Sequence, residues 1–185
     1  MKLSATAKLV LGLVAILGLL VFGVIVDLGV YAGRIHRGVH VQDLDLGGRT
    51  VEEAAEILAG RGEEMRTEPI VLTAPGFDCN FYPYEVGWRP HPAATADDAY
   101  AVGRVGGVVT ALSDRVRGWL GTIEVAWSES RRPHRMRQTL DRCEERAASV
   151  GAVVRRPKLR LRIERAIPRW PRPFSFDVPL QPEEG

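Results

Sequence analysis

Leu9 to Val26, LVLGLVAILGLLVFGVIV, runs for 18 residues without a charge; Asp27 closes it and Leu28 to Ala32 extend it. A helix of about 20 apolar residues crosses the hydrocarbon core of a bilayer, so residues 9–32 are expected to form a transmembrane anchor. Lys2 and Lys8 lie in the leader, residues 1–8, and no acid does. That bias is expected to keep the leader in the cytoplasm and deliver the rest of the chain outside the membrane, although Arg34 and Arg37 on the far side oppose it. A cleaved signal peptide is the alternative, with Val30-Tyr31-Ala32 as a small-residue cleavage site. The apolar core is longer than the 7–15 residues usual for a signal, which favours an uncleaved anchor.

Beyond the anchor the chain reads as a folded domain. Val39, Val41, Leu44 and Leu46 make a short extended run, and Gly47-Gly48 supplies a turn. Thr50 and Glu53 match a capping box, followed by Val51, Ala54, Ala55 and Leu58 at helical spacing. Ile70 to Thr73, Pro75-Gly76 and Phe77 to Val86 read as a hairpin whose second arm Pro83 confines to an edge or breaks. A helix capped by Thr95 or Asp97 is expected over residues 95–104, and a second over Val108 to Leu120 with Val109, Leu112, Val116 and Leu120 aligned. A strand over Thr122 to Trp127 and a helix from about Pro133 to Ala148 complete the order βαββααβα. The expected class is α+β: an N-terminal transmembrane helix followed by one small mixed extracytoplasmic domain over residues 34–154.

Charge divides this chain more sharply than its formal net of +2 conveys. Residues 38–154 hold 13 basic and 18 acidic side chains, whereas Arg155 to Arg172 hold eight basic and one acidic. Leu159, Leu161 and Ile163 alternate with Arg160, Arg162 and Glu164, so residues 155–185 are expected to form a basic strand and a Pro-rich tail with prolines at 168, 171, 173 and 179. The basic stretch reads either as a contact for anionic headgroups or wall polymers, or as a charged edge strand that resists unwanted pairing. Nucleic acid is excluded on compartment grounds. Cys79 and Cys143 either pair, as an oxidising compartment allows, or stay buried as thiols.

Three separated motifs occur in a family order: Gly38-Val39-His40-Val41 with Leu46-Gly47-Gly48-Arg49-Thr50 and Glu52-Glu53-Ala54; Tyr84-Glu85-Val86-Gly87-Trp88; and Ala99-Tyr100-Ala101-Val102-Gly103-Arg104-Val105-Gly106. In these residues the chain resembles the peptidoglycan-binding domain found beside VanW and L,D-transpeptidase domains in bacterial surface proteins, over about residues 34–130. The resemblance implies an α+β domain outside the membrane, after a single span, in contact with cell wall. An L,D-transpeptidase requires a cysteine in a Ser-His-Gly-Cys-like loop, and Cys143 lies instead in Asp141-Arg142-Cys143-Glu144 on an expected helix. The family's enzyme is therefore not expected here.

Candidate binding residues follow from chemistry. Tyr84, Glu85, Trp88 and Arg89, with Tyr82 beside them, combine aromatic faces for sugar CH patches with groups that order hydroxyls. The competing reading packs the aromatics as core. Tyr100 and Arg104 flank a glycine-rich turn, where Arg104 either binds a carboxylate or ties a helix end to a loop. Gly103, Gly106 and Gly107 lack phosphate-loop spacing; His36, His40, His91 and His134 lack metal-ligand spacing; no nucleophile elbow occurs. Neither a cofactor, a metal nor catalysis is expected. The leading expectation is a non-catalytic wall-binding module of the cytoplasmic membrane, with the bilayer as partner through residues 9–32 and peptidoglycan or another anionic wall polymer as ligand. The alternatives are an accessory subunit of another envelope protein and a remnant of a longer VanW or L,D-transpeptidase-type protein.

Overall fold

The computed structural model describes residues 4–173 and 175–178. Helix α1, Ala5–Val30, contains a stretch of 23 residues, Lys8–Val30, with mean hydropathy 3.1 that is long and apolar enough to cross a membrane. The most apolar 18 residues of that stretch are 0% buried, whereas Asp27 near its C-terminal end is buried against the folded part. The chain then turns within a few residues: Ile35 is fully buried, its N–H donates to Arg49 O at 2.7 Å and its carbonyl accepts from Gly48 N at 2.9 Å. The stem therefore enters the folded part without a linker.

The folded part is mixed α+β. Strands β1 (Val39–Val41) and β2 (Leu44–Asp45) form an antiparallel hairpin, and β6 (Ile123–Glu124) joins β1 in parallel with Val39 opposite Ile123. Helix α2 (Val51–Thr67) starts as its sequence dictates: Glu53 N donates to Thr50 Oγ1 at 3.2 Å, and Thr50 N donates to Glu53 Oε2 at 3.0 Å. These bonds satisfy two N–H groups that the first helical turn leaves without partners. Thr50→Ala is expected to lower unfolding stability by about 1 kcal/mol, measured by denaturant titration of the full chain in micelles.

Strands β3 (Ile70–Ala74) and β4 (Phe77–Phe81) pair from Ile70 opposite Phe81 to Ala74 opposite Phe77 around Gly76. Ile70, Leu72, Phe77, Cys79 and Phe81 are buried, whereas Asp78 and Asn80 face out, as period-two alternation requires. The second arm ends at Phe81, before Pro83. Strand β8 (Phe176–Asp177) extends this sheet in parallel beside β3, and β5 (Arg89–Pro90) pairs with β7 (Glu129–Ser130).

Four further helices close the core: α3 (Pro92–Ala101), α4 (Val108–Leu120), α5 (Pro133–Ser149) and α6 (Arg156–Ala166). Helix α3 begins at Pro92 after His91, earlier than the expected Thr95 or Asp97 cap. Proline suits a first helical position because its missing N–H is not needed there. Thr95 is buried, donating its hydroxyl to His91 O and accepting from Ser128 N. The expected strand over Thr122–Trp127 contracts to β6.

The tail is a correction. Residues 156–166 form α6, not a strand, and Leu159, Ile163, Ala166, Ile167 and Val178 join the same buried core as α2, β3 and α5. Leu159 and Ile163 satisfy both a two-residue and a four-residue repeat; Leu161 alone distinguishes them, and it is exposed. Arg, Lys, Leu and Glu favour helix, and Arg160 pairs with Glu164 one turn on. No domain boundary therefore falls at residue 154. Part of the tail's positive charge is engaged internally: Arg156 pairs with Asp141 and Glu144. The Arg172 side chain is only 2% exposed and donates to Met65 O, Glu68 O and Ile167 O, closing the C-terminal end of α2. Pro179 lies outside the described residues.

Candidate functional site

The chain between β4 and β5 makes a tight turn over Tyr82 to Trp88, with Glu85 N donating to Tyr82 O at 2.9 Å and Gly87 N to Tyr84 O at 3.1 Å. The rings of Tyr82 and Tyr84 stack at 5.3 Å and 15°, both exposed. Gly87 has φ +74°, and a Cβ there would meet Arg132 Cβ at 2.6 Å, so this turn sits directly against the start of α5.

Helix α5 supplies the facing wall. Tyr84, Glu85, His134, Arg135, Thr139 and Arg142 line a polar groove of about 470 Å³. A smaller polar recess shares Tyr84 and Arg135 and adds Arg66, Arg89 and Arg132. Arg142 donates both terminal nitrogens to Glu85, at 3.1 and 3.4 Å, and Tyr82 N donates to the same carboxylate at 2.9 Å. The Arg66 guanidinium lies 5.9 Å from the Tyr84 ring centre, within the range of cation–π attraction. Among the described residues neither Arg89 nor Arg132 has an ion pair, leaving these cations open to an anion.

Burial acts to raise the Glu85 pKa, but the Arg142 guanidinium and the Tyr82 N–H outweigh it and hold the carboxyl below its ordinary value. The depressed pKa makes Glu85 a contributor to stability above the ordinary glutamate pKa of about 4.3. That contribution is lost as pH falls through the lower folded value. Acid unfolding of Glu85→Gln is therefore expected to lose this part of the pH dependence, read by circular dichroism against pH.

The sequence candidates separate into two places. Tyr84, Glu85 and Arg89 line the grooves. Trp88 borders the smaller recess, but its side chain is 0% exposed and its indole N–H donates to Glu129, so its ring is core. Tyr100 and Arg104 lie at the base of the stem. Arg104 donates to Tyr100 O at 2.6 Å, Tyr31 O at 2.8 Å and Arg34 O at 2.5 Å, with its guanidinium over the Tyr100 ring at 3.9 Å. Those carbonyls make Arg104 a clamp between α3 and the stem exit, not a ligand arm. Cys79 and Cys143 form a disulfide between β4 and α5, Cα to Cα 5.6 Å.

Sequence reasoning missed His134, Arg135, Thr139 and Arg142. Their signal is the helical spacing 135, 138/139, 142 along α5, one polar stripe beside the buried Met136, Leu140 and Cys143. A second missed cluster surrounds Asp27, the lone acid of α1. Asp27 is 5% exposed and accepts from His36 Nε2 at 3.0 Å, from Trp119 Nε1 at 2.9 Å and from Arg115 Nη1. Arg115 Nε also donates to Gly103 O at 3.0 Å. An ionisable residue in an apolar span is costly unless paired, which is the signal that singles Asp27 out.

Compared with protein-family models, curated proteins and solved structures, the chain matches none.

Proposed function

We propose that the chain is a membrane-anchored, non-catalytic module that binds an anionic cell-wall polymer, peptidoglycan being the first candidate, on the outer side of a bacterial cytoplasmic membrane. The observation that carries this reading is the groove between the Tyr82–Trp88 turn and α5, where an exposed tyrosine pair adjoins several guanidinium groups. Aromatic faces suit the CH surfaces of sugars, and planar guanidinium groups suit carboxylates or phosphates. The Cys79–Cys143 disulfide supports placement outside the cytosol, where such bonds persist. The two lysines of the leader support the same orientation. A stem that enters the domain without a linker would hold the groove near the membrane, so that weak wall contacts act at high local concentration.

The test is co-sedimentation of the full chain, in mild detergent, with purified peptidoglycan that retains its anionic polymers. Wild type is expected to sediment with the wall, with retention that falls as salt rises. Arg135→Ala combined with Tyr84→Ala is expected to weaken retention about tenfold, since hydrogen bonds to charged groups contribute ~1.5–3 kcal/mol. Arg165→Ala, exposed on α6, is expected to leave it unchanged. Wild-type retention no greater than that of a control protein ends the proposal, as does equal retention of the groove variant.

A further inference from the structure

Helix α4 turns the charged Arg115 inward and a stripe of apolar residues outward. Arg115 points inward to Asp27 and Gly103. Gly118 lies so close to the chain leaving the stem that an added Cβ would come within 2.4 Å of Arg37 O; at Gly38, likewise, a Cβ would meet Gly118 O at 2.4 Å. These contacts fix the helix rigidly against the domain. Outward, Val108, Val109 and Leu120 are 85%, 83% and 84% exposed, and Leu112, Val116 and Trp119 are exposed beside them.

The three faces of α4 are separate. At about 100° per residue, those six apolar residues fall in one arc of ~120°, Thr110, Ser113, Asp114 and Arg117 fall in the next, and Arg115 and Gly118 in the third. A helix on a water-facing surface needs only the last two kinds of face. A helix lying in a membrane interface has a use for all three: one against protein, one toward headgroups and water, one in acyl chains.

Position agrees with pattern. Leu112, Val116 and Leu120 line an apolar groove of about 310 Å³ together with Leu19, Leu20 and Val24 of α1. Leu19 and Leu20 precede Asp27 by seven or eight residues, about 10–12 Å of helix at ~1.5 Å per residue. One leaflet of hydrocarbon is about 15 Å thick, so a groove at that depth along the stem lies within it. The apolar face of α4 is thus continuous with the lipid-compatible surface of α1. The Trp119 ring is exposed while its N–H is held by Asp27, the half-apolar, half-bonded state that favours tryptophan at a membrane boundary.

We propose that α4 is a second membrane element. It lies in the leaflet on the domain's side of the bilayer, with its apolar arc among acyl chains, a phospholipid chain in the groove against α1, and Ser113 and Arg117 at headgroup level. The proposal requires α1 to sit in a bilayer and is independent of any wall ligand.

Full-length chain reconstituted into vesicles of phospholipid with brominated acyl chains provides the test. Bromine quenches tryptophan on contact, and the chain has four tryptophans, of which Trp88 and Trp127 are buried. Wild type is expected to lose about one quarter of its tryptophan emission, the share of Trp119 among the four. Trp119→Phe is expected to lose that quenching while its remaining emission is unchanged. In the Trp119→Phe background, Val109→Trp is expected to restore quenching and Thr110→Trp is not, because the two positions belong to different arcs.

Co-flotation of the protein with the vesicles reports on α1. Co-flotation without quenching of wild type, equal quenching of Val109→Trp and Thr110→Trp, or failure to co-float would each overturn the proposal. Crosslinking of α4 to α4 in place of quenching would do so too, assigning the face to a second copy of the chain.

Discussion

Asp27→Ala is expected to lower the stability of the full chain by about 3–5 kcal/mol, the cost of removing one partner from a buried ion pair. The carboxylate is the common acceptor for His36 Nε2, Trp119 Nε1 and Arg115 Nη1, three donors from the stem exit and from α4. Without it the buried Arg115 charge retains Gly103 O but loses its counterion. In a folded part of this size that corresponds to a fall in melting temperature of about 10 °C, measurable by circular dichroism in micelles. Asp27→Asn keeps an acceptor and is expected to lose less. The double variant Asp27→Leu with Arg115→Met replaces both charges with apolar groups and is expected to recover most of the loss, because the penalty lies in the orphaned charge. Limited proteolysis across residues 103–107, which lead into α4, should accelerate in Asp27→Ala and return toward wild type in the double variant. A melting temperature unchanged by Asp27→Ala would show that this carboxylate does not hold the stem to the domain.

The parts of the fold legible in the sequence are those in which a local signal and the tertiary environment agree. The apolar span needed only its length, the α2 start only Thr50 and Glu53, and the β3–β4 hairpin only alternating burial around Pro75-Gly76. Helix α6 was not legible because Leu159 and Ile163 fit either period, and the decision rested on one exposed leucine. Helix α4 was legible as a helix, but its apolar stripe reads from sequence as a core face. Only the fold reveals that the core side belongs to Arg115 and Gly118. The same ambiguity governs the tyrosines and Trp88: alternation put aromatics on both sides of the turn, and packing decided that Trp88 is core while Tyr82 and Tyr84 remain outside. Arg104 and Arg142 illustrate the limit for charged residues. Neither spacing nor composition distinguishes an arginine that clamps backbone carbonyls from one that lines a groove, because partners 57 to 73 residues away make the difference.

Loss of the Cys79–Cys143 disulfide is expected to cost about 4 kcal/mol. Its two ends are 64 residues apart in sequence, and the chain-entropy cost of closing a loop of that length falls on the unfolded state, by ~4 kcal/mol. Both sulfur atoms belong to buried residues, so Cys143→Ala leaves a small apolar side chain and exposes no new polar group. The bond holds α5 onto β4, and α5 carries Arg135 and Arg142. Stability and wall retention should therefore fall together in Cys143→Ala, whereas Tyr84→Ala should reduce retention alone. Cells denatured directly in a maleimide reagent give the complementary reading of topology. A chain folded in an oxidising compartment should take up no reagent until reductant is added, then label at two sites, since it contains two cysteines. Labelling at both sites without reductant would mean that the thiols never pair in the cell. The support this bond lends to a domain outside the membrane would then be gone, while the fold and the cationic groove would still require an explanation.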